Sequence, residues 1–233
     1  MNLASWLMVV AVSTLAGLDR TAVASIMLAR PLVCAALMGY LLGVFTPALQ
    51  LGIMLELLWL MRLPVGAAVA PDDTQAAIGA VVLIKLFAIH LSEHHWELVV
   101  LVGLLVVVFA EVGKCFDVWA RHVNEHLFLR AQRNLECGRW RSLVANHYLG
   151  LSVFAVASLA SCSFIVASGS VILWMGLDYI DEVAFIFPVD GRMLAAIFPL
   201  TGIAAILAVL RGRHSVGLFI CGYAITYVLL EVL

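Results

Sequence analysis

The sequence predicts an all-α, polytopic helical membrane protein, with broken or re-entrant helices in its first half and a cytoplasmic amphipathic helix. Three observations predict it. Of 233 residues, 64% are hydrophobic and only 12% are Asp, Glu, Lys or Arg, against roughly 25% in ordinary soluble domains. The mean hydropathy is +1.10. Long apolar stretches are separated by short links whose charges sort by sign. Thirteen basic and fifteen acidic residues are too few to coat a water-soluble surface, whereas a lipid-facing surface needs none. A net charge of −2 gives no basic footprint for nucleic acid. The five cysteines, Cys34, Cys115, Cys137, Cys162 and Cys221, are scattered and form no CxxC. They read as small hydrophobes with free thiols.

Residues 1–233 read as one membrane domain with three parts. The first, about 1–95, is the half with discontinuous helices. Met1–Gly17 lacks a basic start and an A-x-A site, so it reads as a retained helix rather than a signal. Helical stretches at about 3–17 and 21–43 are interrupted at Gly17–Thr21 and at Arg30-Pro31. The apolar run Pro47–Met61 is too short to cross upright, since a span needs about 20 residues, and it contains Glu56. After Arg62 comes a Pro- and Gly-rich stretch, Pro64–Gln75, and then an apolar run, Ala76–Ile89.

With His90 at an interface, the latter run reaches about 21 Å inward at 1.5 Å per residue. Asp72, Asp73 and Gln75 then fall within the membrane. Irregular backbone at that depth is tolerated only where it is enclosed by protein or lines a watery cavity, and transporters place substrate sites there.

The second part, 111–141, carries Lys114, Arg121, Arg130, Arg133, Arg139 and Arg141. Phe116, Trp119, Val123, Leu127 and Phe128 recur near helical spacing, which predicts an amphipathic helix lying at the cytoplasmic surface. It reads either as a docking platform or as a solvated connector that sets topology. The third part, 142–233, carries most of the remaining spans. In the second half, four stretches approach span length: Trp96–Gly113, Leu143–Gly176, Met193–Leu210 and Ser215–Leu233. Basic links at 111–141 and at Arg211 and Arg213 alternate with acidic ones at Glu93 and Glu97, and at Asp178, Asp181, Glu182 and Asp190. The positive-inside rule makes the basic links cytoplasmic and the C-terminus outward.

Charges inside a membrane cost about 2.5–3.5 kcal/mol each at a helix centre, so the few present are candidates for a site. Glu56, Asp72, Asp73 and Asp19 offer carboxylates, and Gln75 an amide, for the hydroxyls of a polyol. Trp59 offers a flat face to a sugar ring. The alternative is that Asp19 with Arg20, or Glu56 with Arg62, form internal ion pairs that hold helices together. His90 and His94, with Glu93 and His95, have helical spacing for a metal, but interfacial His beside Trp96 serves equally as an anchor, and no metal is assigned. There is no GxxxxGK[ST], GxGxxG or GxSxG, so energy for transport comes from an ion gradient or another protein.

Several stretches carry a family resemblance. They are Gly17-Leu18-Asp19-Arg20-Thr21-Ala22 and Ala29-Arg30-Pro31-Leu32-Val33, then Gly39, Gly43, Gly52, Glu56-Leu57, Trp59 and Leu60, and Pro64–Asp73. Weaker matches follow at Arg133-Asn134 and around Pro188 and Pro199. The chain resembles the membrane IIC subunit of the mannose/fructose/sorbose family of the bacterial phosphoenolpyruvate-dependent sugar phosphotransferase system.

The resemblance implies a multi-pass permease subunit of the bacterial inner membrane that handles a hexose or related sugar. It implies pairing with a IID membrane subunit, cytoplasmic IIB and IIA subunits that relay phosphate, and homo-oligomers of IIC–IID units. The phosphorylated histidines of the family belong to IIA and IIB, so the resemblance implies no phosphocarrier on this chain and no cofactor. One departure is Val44, where the family usually has an acidic, Asn or His residue. A sensor that kept the fold without efficient transport, and a gradient-driven transporter of a small polar solute, stand as alternatives.

Overall fold

A computed structural model describes residues 1–59, 69–88 and 95–176, with isolated positions 200, 217, 220 and 221. All the regular elements among the described residues are α-helices: α1 (Leu3–Thr21), α2 (Pro31–Leu42), α3 (Phe45–Trp59), α4 (Asp73–Leu86), α5 (His95–Glu136) and α6 (Trp140–Gly176). The expected spans Met193–Leu210 and Ser215–Leu233 lie outside the described residues, apart from those isolated positions. So do the acidic link around Asp178–Asp190, Arg62, His90, Glu93 and His94, and the side chain of His95.

Helix α1 is capped by Asn2, whose side chain accepts from the Ser5 amide at 2.9 Å. Its buried stripe, Val9, Val12, Ser13, Ala16 and Gly17, repeats at helical spacing. The helix continues through Gly17–Thr21, where the sequence suggests an interruption, and the chain instead leaves helix over residues 22–30. Two physical causes act there. The Asp19 carboxylate captures the amides of Ile26 and Ala29, and Pro31 disfavours helix at the residue before it. Pro31 then starts α2, where its missing N–H costs nothing.

Helix α2 turns into α3 through a Schellman motif. Gly43 takes a φ of 69°, its amide reaches Tyr40 O at 3.3 Å, and the Val44 amide reaches Gly39 O at 2.9 Å. Val44 is buried in the core.

At about 1.5 Å per residue, α3 (15 residues) and α4 (14 residues) are too short to cross a bilayer upright. Helix α4 is buried without a break from Thr74 to Ile84. A helix apolar on all sides belongs at the centre of a bundle, and α2, α3, α5, α6 and α1 all pack around it.

Helices α5 (42 residues) and α6 (37 residues) are about 63 and 56 Å long, roughly twice the hydrocarbon core. They form a long hairpin closed at Cys137–Arg139, where Gly138 has a φ of 71°. The structure thus joins what the sequence divides. The span ending near Gly113 and the amphipathic segment after it are one helix, not a span followed by a separate helix in the surface plane. Helix α6 faces the bundle through Ala157, Ser161, Ile165, Gly169 and Leu173, a four-residue repeat rich in small side chains that admits close helix approach. Among the described residues three helices, Leu3–Thr21, Leu98–Glu136 and Trp140–Gly176, are long and apolar enough to cross a membrane.

Candidate functional site

The start of α4 meets the end of α1. Asp72 precedes the first helical residue and caps the helix, its Oδ1 accepting from the Gln75 amide at 3.2 Å. Arg20 Nη1 donates to the same Oδ1 at 2.5 Å and lies 3.4 Å from Asp73 Oδ1. Arg20 Nη2 donates to Pro71 O at 2.6 Å and to Ala70 O at 3.4 Å. From the other side, the Asp72 amide donates to Ala110 O of α5 at 3.0 Å. The unwound segment ahead of α4 therefore has its backbone groups met by a guanidinium and a helix carbonyl, which is the condition for irregular backbone at membrane depth.

Gln75 extends the cluster inward. Ser13 Oγ donates to its Oε1 at 2.7 Å, and its Nε2 donates to Ser13 O at 3.0 Å, both fully inside the bundle. The close approach depends on two missing side chains. A Cβ at Gly17 would stand 1.9 Å from Ser158 Oγ and 2.5 Å from Ser158 Cβ, and one at Gly113 would stand 2.7 Å from Ser161 Oγ and 3.1 Å from Asp72 Cβ.

Asp19 is buried but does not pair with Arg20. Its Oδ1 accepts from the Ile26 amide at 2.7 Å and its Oδ2 from the Ala29 amide at 3.1 Å. It holds a loop in which Ala24, Ser25 and Met27 have φ values of 61°, 52° and 68°, a region costly for residues other than glycine. Thr74 Oγ1 donates to Ala29 O at 2.7 Å, which fastens the loop to α4. Just beyond, Arg30 pairs with Glu56 Oε1, and Glu56 Oε2 accepts from the Leu32 amide at 3.3 Å. Glu56 thus serves the N-terminus of α2, where Arg30 makes no side-chain cap.

Of the sequence-derived candidates, Asp72 and Asp73 are brought together around Arg20, and Gln75 joins them through its amide on Asp72. Asp19 joins them through the 22–30 loop, and Glu56 lies beyond that loop on Arg30 and α2. Trp59, one turn along α3 from Glu56, is buried, so its ring presents no open face in this conformation. Arg20 pairs with Asp72 rather than with Asp19, and Glu56 pairs with Arg30; the expected Glu56 partner, Arg62, lies outside the described residues. Sequence reasoning overlooked Ser13, Thr74 and Arg30. Ser13 was detectable as a polar residue on the buried stripe of α1.

Beside the Arg20–Asp72 pair is a cavity of about 20 Å³, lined by Gly17, Arg20, Asp72, Asp117, Phe154 and Ser158 among others. That is space for about one water, far below the ~300 Å³ at which ligand pockets begin. A cavity of about 730 Å³ lies between the arms of α5 and α6, largely apolar, with Asn124, Gln132, Asn146, His147 and Tyr148 as its polar contributors. Phe154 lines both cavities. Among the described residues no group of His, Cys, Asp and Glu is arranged to hold a metal ion. In chemical terms the cluster offers carboxylate and amide groups suited to hydroxyls, already engaged with one another.

Comparison with known proteins gives the family. The model of the family described as the PTS system sorbose-specific IIC component matches residues 3–232. A comparison with curated proteins returns no significant match. Among solved structures, one described as a membrane protein is similar with a TM-score of 0.71 at 20% identity, over 97% of this chain and 87% of that one. Another, the mannose transporter ManYZ in complex with microcin E492, gives a TM-score of 0.60 at 19% identity over the same shares. These structures support the all-helical membrane fold. The match over nearly the whole length shows that this chain belongs to the sorbose-specific IIC family of the phosphotransferase system, the sugar permease subunits of the mannose class.

Proposed function

We propose that the chain is the sugar-translocating subunit of a bacterial inner-membrane phosphotransferase complex, and that the Asp72–Asp73–Gln75 cluster at the start of α4 binds the sugar. The observation that carries this reading is the capped, unwound entrance to α4, where buried Asp72 and Gln75 and half-buried Asp73 gather beside Arg20. Carboxylates accept from adjacent hydroxyls, and the Gln75 amide both donates and accepts. Asp19 and Glu56 flank the cluster through the 22–30 loop and are assigned to the same site. In the conformation described here each of these groups has at least one internal hydrogen-bond partner, and we read it as a closed state. Opening would exchange internal hydrogen bonds for hydroxyl groups of the substrate.

In this reading a IID subunit completes the sugar pathway, IIA and IIB relay phosphate, and phospho-IIB phosphorylates the sugar hydroxyl as it is presented. Units of IIC and IID then assemble as homo-oligomers. The basic 111–141 segment is assigned to the cytoplasmic side near IIB. The test is phosphoenolpyruvate-dependent uptake of labelled hexoses in cells carrying all four subunits. Phosphorylating uptake that drops at least tenfold in Asp72→Ala and Glu56→Ala supports the reading. Normal uptake in both variants removes the site, and no uptake of any hexose by the wild type favours a sensor.

A further inference from the structure

Asp117 lies on α5 one helical turn past Gly113, the residue against which Asp72 Cβ is seated. Its carboxylate is split in its bonding. Oδ2 accepts from Arg121 Nη2 at 3.2 Å and Nε at 3.3 Å, and that arginine is about half exposed. Oδ1 is buried and has no hydrogen-bond partner among the described residues. The side chain is only 12% exposed and lines the small cavity on which Arg20 and Asp72 also border. One guanidinium is hydrogen-bonded to Asp72, lies 3.4 Å from Asp73 Oδ1 and borders the same small cavity as Asp117. A buried acceptor without a donor is an unfavourable arrangement, and a guanidinium of five donors in a fixed fork is the group that suits it.

We propose that Asp117 is the alternate partner of Arg20. When a sugar hydroxyl takes the place of Arg20 Nη1 on Asp72 Oδ1, the guanidinium crosses the cavity to Asp117 Oδ1. Asp72 is thereby freed for the substrate while the arginine keeps a carboxylate. The exchange is a movement of hydrogen bonds only; no covalent bond changes. Asp117 is a positioning residue, acting on the sugar through Arg20. The inference rests on the assignment of Asp72 to the sugar site.

The experiment is equilibrium binding to the purified, full-length multisubunit complex. The probes are radiolabelled mannose, glucose, fructose, sorbose, glucosamine and N-acetylgalactosamine, and the variants are compared with any sugar the wild type retains. Asp117→Asn disfavours the state in which Asp72 is free, so the apparent Kd rises by the same factor, about tenfold. Asp117→Glu keeps the charge and holds Kd within about threefold of wild type. In an Arg20→Gln background, Asp117→Asn has no further effect, because the group it positions is gone. An unchanged Kd in Asp117→Asn, or an equal weakening with and without Arg20, overturns the exchange while leaving the sugar site standing. Retention of none of the six sugars by the wild type overturns both. If Asp117→Asn does not assemble, Asp117→Glu decides: a tenfold loss in that variant also overturns the exchange.

Discussion

Arg20 Nη1 and Asp72 Oδ1 stand 2.5 Å apart although 52 positions separate them in the chain. The pair joins the last turn of α1 to the cap of α4, with side chains 19% and 9% exposed. Arg20 also carries the carbonyls of Ala70 and Pro71, so one side chain fixes both the charge and the backbone of the segment entering α4.

Loss of either partner should therefore be costly. Breaking a buried pair from one side costs roughly 3–5 kcal/mol, and the partial exposure of Arg20 places Arg20→Gln near the lower end. Asp72→Asn keeps a cap but loses the charge. The double variant should cost less than the sum of the two, because it leaves fewer charges stranded. Thermal unfolding in detergent measures this, and strict additivity would show that the two residues are not coupled.

Gly17→Ala forces a Cβ to within 2.5 Å of Ser158 Cβ. That atom is fixed to the α6 backbone and cannot rotate away. Overpacking of this kind costs about 1–3 kcal/mol. Adding Ser158→Gly removes the obstacle and should restore most of the lost Tm. An unrescued double variant would mean that α1 and α6 do not approach as described.

Asp19→Ala removes the acceptor of two amides in the 22–30 loop. Hydrogen bonds to charged groups are each worth about 1.5–3 kcal/mol, so the loop should become the first site of limited proteolysis. Resistance equal to wild type would argue against Asp19 as its anchor.

Met27→Gly should act in the opposite direction. Met27 has a φ of 68°, and the left-handed region costs a residue with a Cβ roughly 1–2 kcal/mol. Relief of that cost, less the greater freedom of glycine in the unfolded chain, should raise the unfolding temperature slightly. A fall in Tm would show that the Met27 side chain contributes more than the strain costs.

The pair at α2 is asymmetric. The Arg30 side chain is 48% exposed and that of Glu56 16%. Arg30→Ala should change stability by less than about 1 kcal/mol, whereas Glu56→Ala also strips the acceptor from the Leu32 amide and should cost more. Equal losses in the two variants would assign the stability to the ion pair alone.

Hydropathy made α1, α5 and α6 legible, because lipid-facing helices must be apolar over their length. The shortness of the run before His90 pointed to Asp72, Asp73 and Gln75, of which Asp72 and Gln75 are buried in the structure. The partner of Arg20 was not legible, since Asp19 is adjacent in sequence and Asp72 only in space. Asp19 is instead satisfied by amides of the loop ahead, a bond that depends on backbone angles no pattern of side chains encodes. The continuity of α5 was missed for a different reason. Hydropathy reports where a helix leaves apolar surroundings, and Lys114, Arg121, Glu125 and Arg130 are good helix formers that carry the same helix onward.

That continuity has a mechanical consequence. From Gly113, seated against Asp72, to Glu136 at the end of α5 the helix runs about 35 Å without a break. A tilt of about 10° around Gly113 displaces its far end by roughly 6 Å over that length. A rod of this kind would act as a lever with one end beside Asp72. Small rearrangements beside Asp72 and Asp117 would thereby be magnified at the arginine-rich tip around Arg130 and Arg133.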